Sequence, residues 1–77
     1  MRLRELREGK FLTRPALAQL AGVSEATIRN IETGKHWPTA TTARRLATAL
    51  GVEPHAVDEA REGQRRLAER YGSVRTE

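Results

Sequence analysis

The sequence contains no cysteine, so no disulfide framework and no thiolate zinc site can form, which excludes a zinc finger and a stapled secreted mini-domain. Aromatic residues are scarce, with Phe11, Trp37 and Tyr71 making up the whole set. The longest apolar-leaning stretch, Ala16 to Val23, is interrupted by Gln19 and is far too short to span a bilayer. No apolar signal-peptide segment follows Met1-Arg2-Leu3-Arg4-Glu5. Alternating strand patterns are missing, as are hairpin dipeptides set between them. The two histidines stand apart and no glycine-rich phosphate loop is present, so no catalytic constellation can be assembled and an enzyme is the least expected class. At 77 residues the chain has room for one small domain and none for a deep enclosed cleft. One cytoplasmic domain is expected, with no membrane segment, no metal and no cofactor.

What the chain does have is positive charge, alanine and regularly placed glycine. Lys and Arg total 14 against 10 Asp and Glu, a net charge of +4, and 12 of the basic residues are arginine. Residues 1–52 carry nine basic and four acidic residues (+5), whereas residues 53–77 carry five and six (−1). A basic body of this kind is the footprint of a nucleic-acid binder, although membrane headgroups attract the same charge.

The glycines at 9, 22, 34, 51, 63 and 72 fall where apolar helical periods stop, as expected of residues that end helices in the left-handed conformation. Between them the sequence predicts an all-α chain. Helix 1 covers about residues 2–8, with Leu3 and Leu6 on one face. Helix 2 starts at the cap Thr13 and runs to Ala21, with Pro15 in its first turn and Leu12 and Leu17 spaced as a hydrophobic staple. Ser24 caps helix 3, and Val23 with Ile28 repeats the staple. Helix 4 runs from about Thr39 to Leu50, where Ala43, Leu46, Ala47 and Leu50 follow the i, i+3, i+4, i+7 rule. Helix 5 is expected to open at Pro54 and to carry Ala56, Val57 and Ala60.

Only Gly22-Val23-Ser24 separates helices 2 and 3. Two short helices joined by so tight a turn, with glycine at the bend, form a helix-turn-helix. Ala18 is small where steeply crossing helices approach closely.

The run Leu12-Thr13, Leu17-Ala18, Ala21-Gly22-Val23-Ser24, Thr27-Ile28, Ile31-Glu32-Thr33-Gly34-Lys35, Pro38, Leu46-Ala47 and Ala49-Leu50-Gly51-Val52 resembles the Cro and lambda-repressor-like (XRE) family over about residues 2–58. That resemblance implies a compact five-helix domain at residues 1–58, with helices 2 and 3 as the helix-turn-helix. It also implies sequence-specific binding of double-stranded DNA by a homodimer that regulates transcription, as repressor or autoregulator, in a prokaryotic or phage-like, nucleoid-associated setting. Two departures stand out. Arg14-Pro15 replace the family's Gln and acidic residue at the start of helix 2, keeping a phosphate-binding group but losing the bracing amide. His36-Trp37 replace what is usually a pair of basic or small polar residues.

With Ile28 and Ile31 on the core side of helix 3, Ala26, Arg29, Asn30 and Thr33 point outward, with Glu25 at the amino-terminal flank. The amino-terminal part of the second helix reaches base edges in such proteins. Arg29 is the leading candidate, since its guanidinium can grip guanine O6 and N7 together. Asn30 can pair with adenine, Glu25 can accept from cytosine N4, and Ala26 permits close approach or touches a thymine methyl. Glu25 and Arg29 also have the i, i+4 spacing of a surface ion pair, and the two roles can coexist. Phosphate contacts are expected from Arg14 and the free N–H groups at the start of helix 2, and from Thr27, Thr33, Lys35 and His36 around helix 3. Trp37 reads as a core or half-core residue fixed by Pro38, with contact to the DNA backbone as the alternative, and Arg44 and Arg45 as a solvated face. Glu32 lies near the inward side of helix 3, and the resemblance gives it a structural ion-pair partner on helix 1, best fitted by Arg7.

In the tail, residues 59–77, Leu67, Tyr71 and Val74 continue a heptad-like spacing from Val57, Ala60 and Gln64. A short sixth helix at about residues 64–71, broken from the fifth at Gly63, would then help a dimer form; a frayed terminal helix is the alternative. The competing functional class is a protein-interaction module, an antitoxin or coactivator-like adaptor with a protein partner.

Overall fold

Three hydroxyl caps set the frame of the molecule, seen in a computed structural model that describes the backbone of residues 1–71 and the side chains of residues 1–66. Thr13 accepts from the Ala16 amide at 3.1 Å, Ser24 from Thr27 at 3.0 Å and Thr39 from Thr42 at 3.1 Å. They open α2 (Arg14–Ala21), α3 (Glu25–Glu32) and α4 (Ala40–Leu50). Ahead of these lies α1 (Leu3–Gly9); after them come a 3₁₀ turn, Pro54–Ala56, and α5 (Asp58–Tyr71). The described residues are all-α, as expected.

Leu3, Leu17, Ile28, Ile31, Leu46, Leu50 and Val57 are fully buried and meet at the centre. Alanines 18, 21, 43 and 47 are buried between them, where small side chains let α2 come close to α3 and α4. Leu12 and Val23 pack half-buried against this core, which contains their expected staple partners Leu17 and Ile28. At the helix-turn-helix bend Gly22 has φ +73°, a left-handed conformation that makes glycine the fitting residue there. Its amide donates to Ala18 O at 2.9 Å, and its own carbonyl accepts from Arg45 Nη1 at 3.2 Å. Arg45 thus braces the bend and is not merely solvated.

The expected glycine punctuation fails twice. Gly9 lies inside the last turn of α1, and the left-handed residue is Phe11, at φ +58°. Amides of Lys10, Phe11 and Leu12 donate to carbonyls of Arg7 and Glu8 and hold this turn, so hydrogen bonding closes the helix at a residue whose Cβ resists the conformation. Gly63 does not break a helix either, because α5 runs through it and residues 64–71 belong to that helix instead of forming a separate sixth one. What Gly63 supplies is space: a Cβ there would stand 3.0 Å from Trp37 Cβ. Nor does the last helix open at Pro54; the chain makes its 3₁₀ turn first and α5 begins at Asp58.

The expected division between residues 58 and 59 falls in the first turn of α5. Glu59, 2 % exposed, reaches back to accept the Leu3 amide at 2.8 Å, placing a carboxylate against the unsatisfied amino-terminal amides of α1. Arg2 Nε lies 3.3 Å from the same carboxylate.

Phe11 is 95 % exposed, so its side chain offsets none of its backbone strain. Phe11→Gly should relieve about 1–2 kcal/mol of left-handed strain and cost about 0.5–1 kcal/mol in unfolded-state entropy. The net is a gain of roughly 0.5 kcal/mol, read as a rise in Tm of about 2–4 °C by circular dichroism; a fall in Tm would contradict this account of the turn.

Candidate nucleic-acid interface

The outward face of α3 carries the expected side chains. Arg29 is exposed, and Glu25, Ala26, Thr27 and Asn30 are half-buried around it. Arg29 Nη1 donates to Glu25 Oε1 at 2.7 Å, so the i, i+4 pair does form. That contact uses one terminal nitrogen. Among the described residues nothing engages Nε or Nη2, the fork that a guanine edge would need. Thr27 spends part of its hydroxyl capacity on Ser24 Oγ at 2.7 Å, and Thr33 Oγ1 donates to Arg29 O at 2.8 Å.

Beyond α3 the chain turns sharply. The amides of Lys35 and His36 both donate to Asn30 O, at 2.8 and 3.3 Å. Any phosphate contact from these two residues must therefore come from their side chains, which are exposed. Trp37 follows, 45 % exposed. It is not a core residue; it lies against Gly63 of α5, with the Arg66 guanidinium 5.6 Å from its ring centre, within cation–π range.

Arg14 and α3's exit are brought together by a buried carboxylate. The Glu32 side chain is 1 % exposed. Arg7 grips it with a two-pronged contact, Nε to Oε2 at 2.7 Å and Nη2 to Oε1 at 3.1 Å, as expected for a structural pair. Arg7 Nη1 also donates to Leu12 O at 2.8 Å, so one side chain ties α1 to the start of α2 and the end of α3. The unexpected member is Arg14, whose Nε donates to Glu32 Oε1 at 3.0 Å. Burial pushes the Glu32 carboxyl up, but hydrogen bonds from Arg7 and then Arg14, with their charges, outweigh it and hold the group below the ordinary glutamate range.

The sequence missed the Arg14–Glu32 contact and the helix-capping role of Glu59. Arginine and glutamate at those positions were visible, but the closeness of the two helix ends was not.

Residues 1–60 match the family described as "Helix-turn-helix domain". The chain belongs to that family and is an XRE-type DNA-binding regulator. The crystal structure of the restriction-modification controller protein C.AhdI from Aeromonas hydrophila is similar, with 36 % sequence identity and a TM-score of 0.67. That match covers 75 % of this chain and 83 % of C.AhdI. No curated protein matches the chain. Among the described residues, no helix is long and apolar enough to cross a membrane.

Glu32→Ala would leave two guanidiniums facing each other around a lost carboxylate, and should cost about 3–5 kcal/mol. Because the folded pKa is depressed, the contribution of Glu32 is complete above the unfolded value of about 4.3 and is lost as pH falls through the lower folded value. Urea unfolding of wild type should therefore weaken from about pH 4.3 downwards, with that component missing in the variant; parallel acid profiles would refute the assignment.

Proposed function

We propose that this regulator binds double-stranded DNA as a homodimer, reads the major groove with α3, and acts as a repressor or autoregulator. The observation that carries the reading is the α3 face. An exposed arginine is held there by Glu25 while its Nε and Nη2 stay unpaired among the described residues. Arg29 grips guanine, Asn30 and Ala26 read neighbouring positions, and Glu25 both steadies Arg29 and accepts from cytosine. Arg14, Thr27, Thr33, Lys35 and His36 contact phosphates. Similarity to a restriction-modification controller protein supports control of transcription as the setting, and occupancy of a promoter would exclude polymerase. The protein works where DNA lies, in the cytoplasm at the nucleoid.

One module of this type covers only about 600–1,000 Å². Useful specificity then calls for two copies on a pseudo-palindrome, with half-sites about 10 bp apart or a multiple of it. Leu67, Tyr71 and Val74 are proposed for the dimer seam; their side chains lie outside the described residues.

Selection from random duplexes with the purified protein should return a twofold-symmetric motif, and recovery of no motif would sink the reading. On the selected site, Arg29→Ala should cost about 1–3 kcal/mol and relax preference at one position, whereas Lys35→Ala should weaken all duplexes alike. With about eight phosphate contacts per dimer, log affinity should fall with log salt at a slope near −7. If Lys35→Ala changed sequence preference and Arg29→Ala did not, the two roles would have to be exchanged.

A further inference from the structure

The amino-terminus of α2 is a poor anion site by itself. Of the amides that an α-helix leaves unpaired at its start, Pro15 has none and Ala16 donates to the Thr13 cap. Only the Thr13 and Arg14 amides remain to face a phosphate. A side chain must supply most of the anchoring there, and a long one loses about 2 kcal/mol of rotamer freedom when it is immobilised on binding.

We propose that Glu32, besides closing the core, is the positioning residue that presets Arg14 as the phosphate clamp of this helix. This rests on the DNA-binding reading and extends it to a buried carboxylate that DNA does not touch. Glu32 takes Arg14 by Nε alone, at 3.0 Å. Among the described residues, Nη1 and Nη2 have no partner, and the side chain is 32 % exposed. The planar guanidinium is thus fixed along one edge and open along the other, the geometry that suits two phosphate oxygens. Charge is not cancelled by the arrangement. Arg7 shares the same carboxylate at 2.7 Å; Glu8 lies 3.9 Å from Arg7 but is itself paired with Arg4 at 3.0 Å, so three cations face two anions and the cluster keeps a net positive unit for the phosphate. A lysine at position 14 could pair with Glu32 or with phosphate, but its single nitrogen could not present separate edges to both.

The test is fluorescence anisotropy of the 77-residue protein on a random-sequence duplex across a salt series, with circular dichroism confirming the folded fraction of each variant. Arg14→Ala should weaken binding about tenfold and reduce the salt slope by about 0.9 per subunit. Arg14→Lys should keep the slope yet bind several-fold more weakly. Glu32→Gln should weaken binding in the wild-type background and have no further effect on DNA affinity when combined with Arg14→Ala. If Glu32→Gln weakens binding equally in both backgrounds, Glu32 acts through the fold alone and the proposal is overturned. Should Glu32→Gln fail to fold, Arg14→Lys decides: affinity equal to wild type overturns the proposal. Absence of any salt-dependent duplex binding by wild type would instead overturn the DNA-binding reading on which it rests.

Discussion

A carboxylate taken out of water must be matched by donors or it unfolds the structure around it. Glu32 meets that constraint by drawing Arg7 from α1 and Arg14 from α2 onto the end of α3. Arg7 adds the Leu12 carbonyl, which closes the connection between the first two helices. Among the described residues only seven large side chains are fully buried, so such a cluster governs a large share of the architecture. Apolar side chains set how closely α2 and α3 pack; the ion cluster sets where their ends point. An apolar replacement of similar volume could match its stability, but it would give Arg14 no direction.

The same economy appears at the other end of α1. Glu59 is almost as buried as the core leucines, and it is tolerated because the helix amide of Leu3 and the Arg2 guanidinium meet it. Glu59 meets the positive amino-terminal end of α1, whereas Glu32 closes the carboxy-terminal end of α3, where the dipole disfavours an anion and the two arginines must supply the positive charge. Small domains cannot bury much apolar surface, and here charged side chains fastened to helix termini complete what the core leaves open.

Caps, staples and the i, i+3, i+4 spacing of α4 were readable in the chain because each is local: a hydroxyl and an amide three residues apart need no tertiary knowledge. The glycine at the helix-turn-helix bend was readable for the same reason. Gly9 and Gly63 misled. A left-handed residue is selected by the hydrogen bonds that close a helix, and these passed over Gly9 to Phe11. Gly63 answers to Trp37, 26 positions away in the chain, a dependence invisible to any local rule. On the interface, the outward set of α3 followed from its period alone. A phosphate role for Arg14 follows from its place at the start of α2, but its contact with Glu32 does not, since that contact exists only once α2 and α3 have crossed.

The +5 of residues 1–52 already subtracts the four glutamates of that segment, but it does not say which of the nine cations a polyanion would meet free to move. Arg2 is held by Glu59 and Glu62, Arg4 by Glu8, and Arg7 by Glu32. Arg45 is turned to the Gly22 carbonyl. Arg29 and Arg14 are each engaged along one edge only, which restrains the side chain without consuming it. Lys35 has no partner among the described residues and stands exposed at the exit of α3. Lys10 and Arg44 are also exposed and without a partner among the described residues, but the usable cations of the helix-turn-helix and its exit are one unrestrained lysine and two arginines already fixed in part. For a binder of a regular, rigid polymer this distribution is favourable: steering needs net charge, whereas register needs side chains that have lost their freedom before contact is made.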